Sequence, residues 1–126
     1  MRQVLSGERG SVTVVATGML VVLFVLVMGS ADVAKTLAAV GRAQTAADAA
    51  ALAAAQEQVA PTGAGPSAMA GQYAATNGGS LVDCQCPAGG TEAVVEVQVP
   101  VGGMLFLAGI DHAQAAARAV VDLGGG

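Results

Sequence analysis

Cys84 and Cys86 are the only cysteines in the chain, so thiol chemistry is the first that the residue types allow. On a strand, residues two apart point to the same side. Their Cα atoms then lie near or beyond the separation a disulfide tolerates, so a bond between them needs strain or a bulge. Oxidation, to each other or to a second chain, is expected outside the cytoplasm. A thiol-redox enzyme is the weakest reading, because the C-x-x-C spacing and thioredoxin-type context are missing. Cys84, Cys86, Asp111 and His112 are also the residues from which a metal site would have to be drawn. Their spacing lacks the paired ligands of a zinc site. No nucleophile and base pair, phosphate-binding glycine motif or spaced carboxylate pair occurs, so neither an enzyme nor a bound cofactor or metal is expected.

A second polar feature is Gln44 and Asp48, one helical turn apart within an otherwise apolar helix face. They can meet each other or a shared partner. Asp48 either reaches water at the edge of a shallow face or fixes how the helix docks, by capping backbone N–H groups of a packed domain or by pairing with Arg118. A buried carboxylate needs such a partner.

The elements that must carry these residues begin with an uncharged stretch, Ser11 to Ala31. As a helix rising ~1.5 Å per residue it reaches about 31 Å, the thickness of a hydrocarbon core of about 30 Å. Its Val, Leu, Met and Phe lie all round the helix, which a soluble core of this size does not bury. A membrane span over residues 11–31 follows, after a polar leader over residues 1–10. Proline is absent from residues 11–60, so the helix is expected to continue outward over residues 32–60. On its wheel Val33, Leu37, Val40, Leu52 and Val59 fall on one side, expected to cover a sheet. Asp32, Lys35, Arg42 and Glu57 fall on the other, expected to meet water.

Residues 61–126 read as a small domain. Pro61, Gly63, Gly65 and Pro66 make a loop, Ser67 to Thr76 a short helix with Ser67 as N-cap, and Asn77-Gly78-Gly79 its stop. Ser80 to Cys86 is a strand. Ala93 to Val101 is a clearer one, with Val95, Val97, Val99 and Val101 alternating against Glu96, Gln98 and Pro100. Pro100 marks an edge or the last residues of the strand. Met104, Leu105, Phe106, Leu107 and Ile110 are too apolar for a free loop and either join the core or form a contact surface. Residues 113–122 have helix propensity but strand alternation; a third strand is favoured, since two make a marginal sheet. Residues 124–126 read as a frayed tail. The fold class is therefore α+β: a long N-terminal helix packing outward on two or three antiparallel strands.

Charge orients this arrangement. Arg2 and Arg9 against Glu8 flank the span on one side. On the other, Lys35, Arg42 and Arg118 are outnumbered by Asp32, Asp48, Glu57, Asp83, Glu92, Glu96, Asp111 and Asp122. The positive-inside rule places the N-terminus in the cytoplasm and the domain outside. With no basic patch, nucleic acid is not an expected partner. A rival reading makes residues 1–31 a signal peptide cut after Ala31, releasing a soluble binding module, although the apolar run exceeds the ~7 to 15 residues usual for such signals.

The stretch Arg42 to Ala55, RAQTAADAAALAAA, resembles the segment after the membrane helix in TadE/TadG-like proteins of Tad/Flp-type (type IV) pilus systems. The likeness continues, in order, through Arg9-Gly10-Ser11, Tyr73-Ala74-Ala75-Thr76-Asn77-Gly78 and the Val-alternating strand. It is closest to the short TadE-like proteins of high-GC Gram-positive bacteria. The resemblance implies a pilin-like design with a leader cut by a prepilin peptidase between Gly10 and Ser11. It also implies partners among pilin-like or secretion-apparatus subunits, homo-oligomers or a filament included, and a single-pass protein of the cytoplasmic membrane or an extracellular pilus. Pilins carry Glu at the fifth mature position, where this chain has Val15. The resemblance therefore points to a minor pilin or pseudopilin rather than a major subunit.

Overall fold

A computed structural model describes residues 2–124, with side chains from Gly10 onward. Met1, the side chains of Arg2, Glu8 and Arg9, and the last two residues of the glycine tail lie outside the described residues. The order is α1 (Arg2–Val59), α2 (Pro66–Thr76), β1 (Ser80–Gln85), β2 (Glu92–Pro100) and β3 (His112–Val120). The strands form one antiparallel sheet in the order β1-β2-β3. This is the α+β arrangement expected: one long apolar helix and a small antiparallel sheet.

α1 runs without a break because no proline interrupts it, and it ends where Ala60 closes its last turn on Gln56 and Pro61 follows. Its first half is bare: between Ser11 and Val27 every side chain is exposed. α1 is long and apolar enough to cross a membrane. Its second half packs on α2, β2 and β3.

The face that packs is made of alanine. Ala39, Ala43, Ala46, Ala47, Ala50 and Ala54 are buried against Val95, Val97 and Val99 of β2 and Ala113 of β3. This corrects the expected face. Leu37, Val40 and Leu52, assigned to cover the sheet, are exposed, whereas Asp32 and Glu57, assigned to water, are buried. A helix lies close on a sheet only where its side chains are small, so close approach selects the Ala stripe over the larger residues opposite. Gly79 lies at the same contact, where a Cβ would stand 2.6 Å from Val97 Cγ1 and 3.2 Å from the Ala46 Cβ.

β2 is the central strand, its inward Val residues alternating with half-buried Glu92, Val94, Glu96 and Gln98 on the wetter face. Pro100 is tolerated because it is the last residue of the strand, opposite His112. β3 is the third strand favoured by alternation; its Ala side packs on the core, and cross-strand pairing outweighs helix propensity. β1 carries a bulge between Leu81 and Asp83. Ser67 does not cap α2. Gly65, at φ 92°, is the cap and Pro66 takes the first turn, where its missing N–H costs nothing.

Candidate functional site

Asp32 and Glu57 share the centre line of the Ala stripe. They are 25 residues apart, about seven turns at 3.6 residues per turn, so both carboxylates face the domain, one at each end of it.

Asp32 follows directly on the apolar run and is fully buried. Its carboxylate accepts the amide of Leu105 at 3.0 and 3.1 Å, of Phe106 at 2.6 Å and of Leu107 at 3.3 Å. Three residues on, Lys35 Nζ donates to the Gly103 carbonyl at 2.7 Å. One turn of α1 thus grips the β2–β3 loop through its backbone. The amides of Leu105 and Phe106 hold the acid below its ordinary value of 3.8 against burial, which pushes it up; the Leu107 amide and Lys35 assist.

Glu57 does the same at the other end. Its Oε1 accepts the amides of Thr62, Gly63 and Gly65 at 2.8, 3.1 and 3.2 Å, and the Thr62 hydroxyl reaches both oxygens. Burial pushes this acid up, but the Thr62 hydroxyl and amide, with those of Gly65 and Gly63, outweigh it and leave it below 4.5. A cavity of about 380 Å³ between α1 and α2 borders it, lined also by Gln56, Met69 and Tyr73. With its oxygens so engaged, Glu57 is a poor general base for that cavity. Next to it Gln58 Nε2 donates to the Pro87 and Glu92 carbonyls at 2.9 Å each, while its buried Oε1 has no partner.

The part of α1 that carries Asp32 and Glu57 is similar to a known family. Residues 10–57 match the model of the Flp pilus-assembly TadE/G-like family. Over that segment the chain is similar to that family. No curated protein and no solved structure matches the chain significantly.

Within the matched segment, Gly10 and Ser11 are exposed and helical. Gln44 and Asp48 meet each other, Nε2 to Oδ1 at 2.9 Å, on the exposed side of the helix among Leu37, Val40 and Leu52. Asp48 reaches neither the domain nor Arg118, whose guanidinium pairs with Glu92 at 2.9 Å. The backbone-capping role considered for Asp48 falls to Asp32 and Glu57. Their signal was present in the sequence as two acids on the Ala stripe, but hydrophobicity alone assigns that stripe to water.

Beyond the matched segment, a disulfide joins Cys84 and Cys86, whose Cα atoms are 5.4 Å apart. β1 ends at Gln85, so Cys86 lies just beyond the strand, and the two Cα atoms are closer than an extended strand would place them. Asp111 and His112 lie at the start of β3, opposite Pro100, whereas Cys84 pairs with Val95. Among the described residues no three of His, Cys, Asp or Glu gather as a metal site.

Proposed function

We propose that this protein is a structural, non-enzymatic minor pilin or pseudopilin of a Tad/Flp-type pilus or related secretion apparatus. The observation that carries this reading is the position of the family match. Residues 10–57 cover the bare apolar run and the outer half of α1 up to its distal clamp. In this reading the bare half is held in the cytoplasmic membrane, with the leader inside and the domain outside. The exposed row of Val33, Leu37, Val40, Leu52 and Val59, with Gln44 and Asp48 within it, is the surface offered to neighbouring subunits. A prepilin peptidase removes residues 1–10, making Ser11 the new N-terminus.

Intact mass and N-terminal sequencing of the protein from host membranes and from sheared surface material test this. A chain beginning at Ser11 and present in both supports the reading. A chain starting at Asp32 in the culture fluid overturns it in favour of a released binding module, and an uncut chain confined to the membrane leaves an anchored scaffold that is not a pilin.

A further inference from the structure

The β2–β3 loop has a composition that suits lipid better than water. From Gly102 to Ile110 it contains no charge, and Leu105 and Phe106 are 59% and 57% exposed, with Leu107 and Ile110 also open. Its position is fixed by Asp32, the residue immediately after the apolar run. The loop is therefore level with the end of that run. Met28 and Gly29, one turn further toward the N-terminus on the Asp32 face, are half-buried, while the rest of residues 11–31 is exposed.

The backbone of the loop points the same way. Irregular chain is tolerated near hydrocarbon only where its N–H and C=O groups find partners within the protein. The Leu105, Phe106 and Leu107 amides go to Asp32, the Gly103 carbonyl to Lys35, the Ile110 amide to the Leu107 carbonyl and the Val101 amide to the Asp111 carbonyl. In water these groups would be solvated without help.

We infer that residues 104–107 form a membrane-interface wedge. Leu105, Phe106 and Leu107 lie in the boundary between headgroups and acyl chains of the leaflet on the domain's side, and Asp32 holds their backbone there. Leu and Phe are side chains that favour this boundary. The wedge rests on the reading that residues 11–31 span the bilayer. It gives the single span a second point of attachment, which sets the tilt and rotation of the domain on the membrane.

The chain lacks tryptophan, so a single one reports its own surroundings. Full-length Phe106→Trp and Phe24→Trp are each reconstituted into phosphatidylcholine and phosphatidylglycerol vesicles whose lipids carry bromine near the headgroup or near the chain end. The wedge predicts that Phe106→Trp is quenched about threefold more by the shallow label than by the deep one, and Phe24→Trp more by the deep label. Adding Asp32→Asn to Phe106→Trp reduces the shallow quenching by about half or more, because a neutral amide accepts the loop amides less strongly. If Phe24→Trp is quenched while Phe106→Trp stays accessible to aqueous acrylamide, the wedge is wrong and the span stands. Emission from Phe106→Trp that is blue-shifted but untouched by bromine overturns the wedge in favour of a protein contact. An unquenched Phe24→Trp removes the span and the wedge together.

Discussion

At one end of the packed half of α1, Asp32 collects the amides of residues 105–107; at the other, Glu57 collects those of Thr62, Gly63 and Gly65. The chemistry is shared, a buried carboxylate accepting several backbone N–H groups, but the reach differs. Glu57 closes a loop that begins five residues after it. Asp32 holds a loop 73 residues away. The first shapes the exit of the chain from its own helix, whereas the second fastens the far end of the domain to the point where the apolar run stops. Between them Gln58 and Lys35 add bonds to carbonyls, so each end grips both polarities of the backbone. A surface of alanine and valine offers little directional information, and these polar ends supply the register that such a surface lacks.

The largest expected effect comes from disturbing what the two ends share. Gly79→Ala forces a Cβ into Val97 and the Ala46 turn, and overpacking of this kind costs about 1 to 3 kcal/mol. Thermal unfolding of the full chain in detergent checks this, and hydrogen exchange should show both loops losing protection in parallel. Unchanged stability would mean that helix and sheet are not held as closely as the Ala stripe implies.

Separating the ends should give smaller and local effects. Asp32→Ala should speed exchange of the Leu105, Phe106 and Leu107 amides by about tenfold or more, leaving Thr62 to Gly65 unchanged. Glu57→Ala should do the reverse and loosen α2. Crossed effects would sink the idea of independent clamps. Acid should act on both. Each carboxylate is held below its ordinary value, 3.8 for Asp32 and 4.5 for Glu57, so its contribution is complete above those values. It is lost as pH falls through the lower folded values. Exchange followed from pH 6 down to about pH 3 should show both loops opening on the acid side, with no such step in the corresponding Ala variants.

The smallest effect is expected at Arg118 and Glu92, the ion pair on the open side of the sheet, with side chains 64% and 45% exposed. Arg118→Ala should change stability by less than about 1 kcal/mol. A larger loss would show that this pair, rather than Gln58, secures the Glu92 end of β2.

Much of the fold was legible because it rests on local signals. The Val alternation of β2, the Asn77-Gly78-Gly79 stop of α2 and the proline-free length of α1 each act within a few residues. Ser67 misled because a good capping residue stood beside Gly65-Pro66, whose backbone suits the first turn better. The candidate site was harder to read. Gln44 and Asp48 attract notice as polar residues in an apolar row, yet that row is the open one. Asp32 and Glu57 pass for surface acids until the buried side of α1 is known.

Composition and periodicity by themselves determined that this chain is one long apolar helix followed by a small sheet, and that its first half is suited to a bilayer. The reason is that helix length, apolar content and strand alternation are properties of neighbouring residues. Which face of α1 meets the sheet, and what its two buried carboxylates hold, was decided only by the tertiary structure. Close packing prefers the smaller side chains to the more hydrophobic ones, and the amides that Asp32 accepts become its neighbours only when β2 runs back along the helix.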